Sequence, residues 1–348
     1  MPPADPADRV SEPLVGLGDV RAAAERIHGS CLRTPLLPAL WAPGGSTWVK
    51  AESLQPTGAF KLRGATNAVA RLTAEQRARG VVTHSSGNHG GALAHAARRA
   101  GVRATVVVPH GAPQVKVDLV VAAGAEIVRV DAADRASTCA DIAARTGAVE
   151  IPPYDHLDVI AGQGTVGLEI AADRPDVETV LVPVGGGGLI SGVAVALRAT
   201  VPGVRIIGCE PALAGDAAAS LSAGERQQWA VADTARTVAD GLRATTLGEL
   251  TWPHVRALVD DVVTVDEEAI AAAVRALAAG SRLVAEPSGA VATAALLSRS
   301  DRLPGGRTVV VMSGGNVDTR WLAGVLADAG PATARRADVG VGERTCGH

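Results

Sequence analysis

The sequence predicts an α/β protein of two domains built on open, twisted parallel sheets, and three observations lead there. Short Val- and Ile-rich runs alternate with helical stretches along most of the chain, the pattern of crossovers between parallel strands. Those apolar runs end in polar or glycine-rich loops, where open sheets of this kind bind ligands. The 348 residues are 47% hydrophobic but only 2% aromatic, which gives a large core of Ala, Val and Leu suited to packing helices closely on a sheet.

The elements follow in order. The opening Met-Pro-Pro-Ala-Asp-Pro is Pro-rich and acidic and reads as a disordered lead-in. Asp19 to His28 has apolar residues at helical spacing, with Asp19 as a candidate N-cap. Thr34 to Leu37 is extended, and Trp48 to Glu52 reads as a strand that feeds the stretch Ser53 to Ala65. A helix over Gly64 to Leu72 then places Lys61 at or just before a helix start. Gly80 to His84 is a strand, Ser85 to Gly91 a polar glycine loop and Ala92 to Ala100 a helix. Strands at Arg103 to Pro109 and Ala125 to Val130 alternate with helices at Val115 to Ala123 and Arg135 to Thr146.

After Tyr154, the glycine-rich Ala161 to Gly167 leads into a helix around Val166 to Asp173, and Thr179 to Pro183 reads as a buried strand. A glycine loop and its helix run to about Thr200, and Val204 to Cys209 is the next strand. Residues 212 to 250 are loop-rich with short helices. Val255 to Leu258, Val262 to Val265, Glu267 to Ala279, Gly289 to Leu297 and Arg307 to Met312 resume the alternation. Residues 331 to 348 lose apolar periodicity and read as a mobile tail.

A net charge of −3 and a pI near 6.3 give no footprint for nucleic acid or an anionic membrane, so the expected partner is a small molecule. Val180 to Leu197 carries no charge, but Pro183 and Gly185 to Gly188 break it as a membrane span. Cys31, Cys139, Cys209 and Cys346 lie far apart with no Cys-x-x-Cys, which fits a reducing, cytoplasmic home.

Basic charge is carried almost entirely by arginine, with only Lys50, Lys61 and Lys116 as exceptions. Lys61 follows the only phenylalanine, Phe60. A lysine in that setting points to amine chemistry, since an amine can lose its proton and attack a carbonyl while a guanidinium stays charged. Taken alone, a lysine after a Pro-Thr-Gly turn is a solvated surface residue, and three further stretches argue otherwise. Gly185-Gly186-Gly187-Gly188-Leu189 follows a buried strand and opens a helix, so that backbone amides form a phosphate cup. It lacks the spacing of a dinucleotide fold and the trailing lysine of a P-loop. His84-Ser85-Ser86-Gly87-Asn88-His89-Gly90 gathers hydroxyl, amide and imidazole groups at a strand-to-helix turn suited to a carboxylate. Ser313-Gly314-Gly315-Asn316 again lies at a strand's carboxyl end, where a neutral hydroxyl can meet a ring nitrogen.

Together these stretches resemble the pyridoxal-phosphate enzymes of fold type II, the tryptophan-synthase-β-like fold, and within them the serine racemase, threonine dehydratase and 3-hydroxyaspartate dehydratase group. The resemblance runs in order over about residues 15 to 325. It implies that Lys61 carries the cofactor as a Schiff base, that Phe60 packs on the pyridine ring and that Asn88 holds the ring's phenolic oxygen. Gly185, Gly186, Gly187, Gly188 and Leu189 would bind the phosphate, and Ser313 would face the pyridine nitrogen without protonating it. Ser85, Ser86, Asn88, His89 and Arg135 would contact the amino-acid substrate.

Ser86 stands where threonine dehydratases usually have alanine and where racemases and 3-hydroxyaspartate dehydratases have serine, and the resemblance implies a second base opposite Lys61 there. Glu210, the Ala214 carbonyl and Asp216 would hold a divalent cation, Mg²⁺, Ca²⁺ or Mn²⁺. By spacing alone the two carboxylates are solvated surface charges. Ala244 replaces the serine of mammalian-type racemases, and Arg243 beside it suits a second substrate carboxylate. The implied domains are a large one of 1–77 and 155–330 and a small inserted one of 78–154, and the implied assembly is a homodimer. The expected function is dehydration and deamination of a β-hydroxy amino acid (serine, threonine or 3-hydroxyaspartate) to a 2-oxo acid and ammonia. Racemisation by Lys61 and Ser86 is the alternative, and a non-catalytic binding protein is a more remote one.

Overall fold

The computed structural model describes residues 15–328 apart from Gly44, Ser86 and Pro113. The lead-in, the expected tail at 331–348 and the candidate base Ser86 therefore lie outside the described residues.

Among the described residues ten strands form two sheets: β1 (Leu36–Pro38), β2 (Thr47–Ala51), β3 (Val81–Thr83), β4 (Ala104–Pro109), β5 (Glu126–Val130), β6 (Val149–Glu150), β7 (Thr179–Pro183), β8 (Arg205–Pro211), β9 (Asp261–Val265) and β10 (Thr308–Met312). One sheet has the order β1-β2-β10-β7-β8-β9, parallel except for β1, and the other has the order β5-β4-β3-β6, wholly parallel. The strand β10, last among the described residues, sits between β2 and β7. It thereby brings Ser313 beside the start of the helix that carries Lys61.

Every residue of β7 and β10 is buried. Successive residues feed opposite faces: Leu181, Val310 and Met312 join one apolar cluster, while Val180, Val182, Val309 and Val311 join the other. A strand covered on both faces needs apolar residues at every position, which explains the continuous Val-rich runs. Each buried valine stabilises the fold by about 1.5–3 kcal/mol.

Away from the cavity, two expectations change. Asp19 is not the cap of the first helix, Leu17–Ile27: Gly16 is, and Asp19 sits three residues on, its carboxylate accepting the Gly16 amide at 2.9 Å. The glycine-rich Ala161 to Gly167 is not a loop but lies within the helix Leu157–Asp173. Its glycines allow close helix packing. A Cβ at Gly164 would lie 2.8 Å from the Gly192 carbonyl oxygen, and one at Gly162 would lie 2.6 Å from the Gly64 Cα.

Below the lysine-bearing helix, Lys61–Ala70, lies a buried ionic network. Arg63 meets Glu52 at 2.7 Å and Glu169 at 2.7 Å, and Lys50 meets Glu169 at 2.6 Å. Arg63, Lys50 and Glu52 are at most 1% exposed. The network ties that helix to the end of β2 and to the helix Leu157–Asp173, and so fixes where Lys61 stands.

Candidate active site

Lys61 is the first residue of its helix. The loop before it is joined to the end of β10, because the Phe60 amide donates to the Ser313 carbonyl at 3.0 Å and the Gly315 amide to the Gly58 carbonyl at 2.9 Å. Gly58 has a φ of +72°, and a Cβ there would lie 2.3 Å from Asn316 Oδ1, so this turn requires glycine. The Lys61 Nζ lies 5.0 Å from the centroid of the Phe60 ring and donates to the Pro153 carbonyl. No carboxylate pairs with it among the described residues. Burial lowers its pKa to about 8, which makes the neutral amine accessible near neutral pH.

The glycine cup spans the end of β7 and the start of the helix Gly188–Thr200. The amides of Gly185 to Gly188 reach no acceptor among the described residues, at the positive end of a thirteen-residue helix. Gly187 has a φ of +91°. The Gly186 carbonyl is turned away from the cup, accepting from Thr251 Oγ1 at 2.7 Å and from the Gly248 amide at 3.3 Å. Tyr154 packs over the loop, and a Cβ at Gly186 would come within 2.4 Å of its ring. The adjacent Asp155 accepts the amides of Glu249 and Leu250 at 2.9 and 2.8 Å, anchoring the segment that carries Thr251.

The polar loop after β3 is shorter than the sequence suggests, since the next helix starts at Asn88 rather than Ala92. Ser85 Oγ accepts the Gly87 amide at 3.3 Å. Asn88 donates from Nδ2 to Glu286 and accepts at Oδ1 from Asn316 at 2.9 Å. His89 is 1% exposed, with Nε2 2.9 Å from the Ile151 carbonyl and Nδ1 without a partner among the described residues. Burial lowers its pKa to about 3, so it is a neutral imidazole.

These groups converge on one cavity of about 720 Å³, the size of an ordinary small-molecule site. Phe60, Lys61, Ser85, Asn88, His89, Arg135, Gly185 to Leu189 and Ser313 all line it. Ser313 is 4% exposed, with Oγ 3.5 Å from the Ser288 carbonyl. Arg243 also lines it, its guanidinium donating to the Thr237 carbonyl at 2.6 Å. Sequence reasoning missed Tyr154, Thr251, Glu286 and the pairing of Lys116 with Asp240 and Glu286. Of these, only Lys116 carried a signal, as one of three lysines.

Glu210, Ala214 and Asp216 lie outside this cavity. Glu210, in β8, accepts the Ala217 and Ala218 amides at 3.1 and 2.9 Å. Both carboxylates are 0% exposed, and neither oxygen of Asp216 has a partner among the described residues. Burial and the neighbouring Asp216 charge push Glu210 well above the usual carboxylate range, and burial pushes Asp216 to about 7. Two acidic groups this buried, one of them orphaned, suit a cation, with remaining ligands from backbone carbonyls and water. Among the described residues no third acidic, histidine or cysteine ligand joins them, and no helix is long and apolar enough to cross a membrane.

Free backbone amides at a helix start and an unpaired lysine amine in one cavity fit a cofactor with a phosphate and a carbonyl. Comparison with known proteins agrees. The profile of the pyridoxal-phosphate dependent enzyme family matches residues 27–314. Serine racemase of Arabidopsis thaliana is 46% identical over 309 residues, covering 86% of this chain and 92% of that protein. L-threo-3-hydroxyaspartate ammonia-lyase of Saccharomyces cerevisiae is 38% identical over 314 residues, covering 89% and 95%. The structure of maize serine racemase superposes with a TM-score of 0.84 at 41% identity, covering 89% of this chain and 97% of that one. This chain belongs to the pyridoxal-phosphate dependent enzymes of fold type II, among the ammonia-lyases and amino-acid racemases.

Proposed function

We propose that the protein dehydrates a β-hydroxy amino acid and releases a 2-oxo acid and ammonia. The observation that carries this reading is the unpaired Lys61 amine, held near pKa 8 in the same cavity as the free amides of Gly185 to Gly188. When bound, pyridoxal phosphate supplies a carbonyl carbon that takes an amine and a ring that accepts the electron pair left at Cα.

The protein's own residues do the rest. The amides of Gly185 to Gly188 and Leu189 bind the phosphate, and Phe60 packs on the ring. Asn88 donates an amide proton to the phenolic oxygen. Ser313 offers the ring nitrogen a neutral hydroxyl, so the ring is a weaker electron sink and loss of a β-hydroxyl competes well with slower reactions. Lys61 Nζ removes the Cα proton, while Ser85 and the amides of its loop hold the substrate carboxylate. The span 78–154 acts as the smaller domain that closes over the substrate, with 1–77 and 155–330 as the larger one. Glu210, Ala214 and Asp216 hold Mg²⁺, Ca²⁺ or Mn²⁺, and the chain works as a homodimer.

Arg135 and Arg243 favour a substrate with a second carboxylate, such as 3-hydroxyaspartate. Both line the cavity, and both donate only to carbonyls among the described residues, Arg135 to Ala132 at 3.0 Å and Arg243 to Thr237. Racemisation is the second reading, favoured by the 46% identity to a serine racemase and by Ser86 as the second base. The test is 2-oxo acid release from L- and D-serine, L-threonine and the 3-hydroxyaspartate isomers, with chiral analysis of the remaining substrate. Fastest release from 3-hydroxyaspartate supports the dicarboxylate reading, and inversion without release supports the racemase. Activity retained by Lys61→Ala removes the catalytic assignment, and Ser86→Ala is expected to abolish inversion while sparing one substrate configuration.

A further inference from the structure

Residues away from the reacting groups fix which way the Asn88 amide faces. Asn316 Nδ2 donates to the Thr57 carbonyl at 2.8 Å and to Asn88 Oδ1 at 2.9 Å, which engages both of its protons. The oxygen end of Asn88 therefore faces Asn316, and its nitrogen end faces Glu286. One Asn88 proton goes to Glu286, and the second is left for a ligand. Glu286 is 1% exposed and immediately precedes the helix Pro287–Ser298. Its other oxygen lies 3.0 Å from Lys116 Nζ, which also donates to Asp240 at 2.8 and 2.7 Å.

The arrangement crosses between the two halves of the molecule. Lys116 comes from the helix Gln114–Ala122 and Asn88 from the helix Asn88–Arg99, both interleaved with the strands of the four-stranded sheet. Glu286, Asp240 and Asn316 belong to segments around the six-stranded sheet. The contact between the two halves thus places a cation beside Glu286.

Resting on the functional reading above, we propose that Lys116 is a positioning residue: by pairing with Glu286 it keeps that carboxylate an acceptor, so that Asn88 presents its free amide proton to the phenolic oxygen of pyridoxal phosphate. Without Lys116, a buried and unpaired Glu286 takes up a proton and becomes a donor. Its O–H then opposes the Asn88 N–H, and the amide turns. Replacing Glu286 by glutamine in the presence of Lys116 has the same effect by another route, since two donors compete for one amide oxygen. Removing both charges together leaves one oxygen for one donor.

The experiment is a double-mutant cycle of Lys116→Met and Glu286→Gln, reading the dissociation constant of pyridoxal phosphate from the apoprotein and the pH midpoint of the bound cofactor's absorbance. Each single variant is expected to bind the cofactor about tenfold more weakly with a shifted midpoint, and the double variant to return to within about threefold of the parent. A purely structural role would instead lower the apoprotein's melting temperature in all three variants and leave the midpoint in place. Single variants within about twofold of the parent, or losses that multiply in the double variant, overturn the proposal. If Lys116→Met does not fold, Glu286→Gln alone decides, and a parental dissociation constant refutes. A parent protein that takes up no pyridoxal phosphate overturns the functional reading itself, and this proposal with it.

Discussion

The lowered pKa of Lys61 makes a prediction about the protein before any substrate arrives. An ordinary lysine at 10.5 has about one amine in a thousand neutral at pH 7.5, whereas at about 8 the neutral share is about a quarter. The buried position therefore raises the reactive population about two-hundredfold. The rate at which apoprotein captures pyridoxal phosphate, followed by absorbance in a rapid-mixing instrument from pH 6 to 10.5, should climb with pH and level off above about 8. A second readout follows from linkage. The folded value lies below the unfolded one, so between about 8 and 10.5 the unfolded chain binds more protons, and the apoprotein gains stability with rising pH across that window. Lys61→Met should lack that gain. A capture rate that keeps climbing tenfold per pH unit beyond pH 9.5, with no bend, would refute the argument that burial tunes this amine.

Other outcomes follow from the same geometry. Thr251→Val removes the 2.7 Å bond that turns the Gly186 carbonyl out of the cup, and should weaken cofactor binding about tenfold without altering the circular dichroism of the fold. Gly186→Ala drives a methyl to within 2.4 Å of the Tyr154 ring, and cofactor titration should show a loss larger than tenfold. Arg63→Met strips the guanidinium from two carboxylates and should cost about 3–5 kcal/mol, read as a fall in the denaturation midpoint. Millimolar Mg²⁺, Ca²⁺ or Mn²⁺ should raise the melting temperature of the parent but not of Asp216→Asn, and equal responses in the two proteins would remove the cation site.

What could be read from the sequence was local. Strands covered on both faces must be apolar throughout, so β7 and β10 were visible as runs of valine. Lys61 stood out because lysine is scarce, and the four glycines because no helix start needs them for its own sake. The helix Leu157–Asp173 was hidden for a physical reason: glycine in a sequence signals a turn, yet here it thins a helix so that a neighbour can approach. The Asn88 arrangement was hidden for another. Lys116 and Glu286 are 170 positions apart, and nothing local to Glu286, which precedes Pro287, separates an interior carboxylate from a cap at a helix start. Likewise Glu210 and Asp216 read as surface charges by spacing, until the end of β8 and the start of the helix Asp216–Ala223 placed them in the interior.

The near absence of lysine has a practical consequence. Lys50 is fully buried, Lys116 is 2% exposed and held by two carboxylates, and Lys61 alone is partly open to a cavity with no anionic partner among the described residues. The outer surface carries its positive charge on guanidinium groups, which amine-selective reagents leave untouched. Apart from the chain terminus, such a reagent meets one partly open amine in the cofactor-free protein, that of Lys61. Acylation of the cofactor-free protein is therefore expected to titrate that one cavity amine without engineered tags, and coupling to an amine-reactive support to engage the cavity rather than the outer surface.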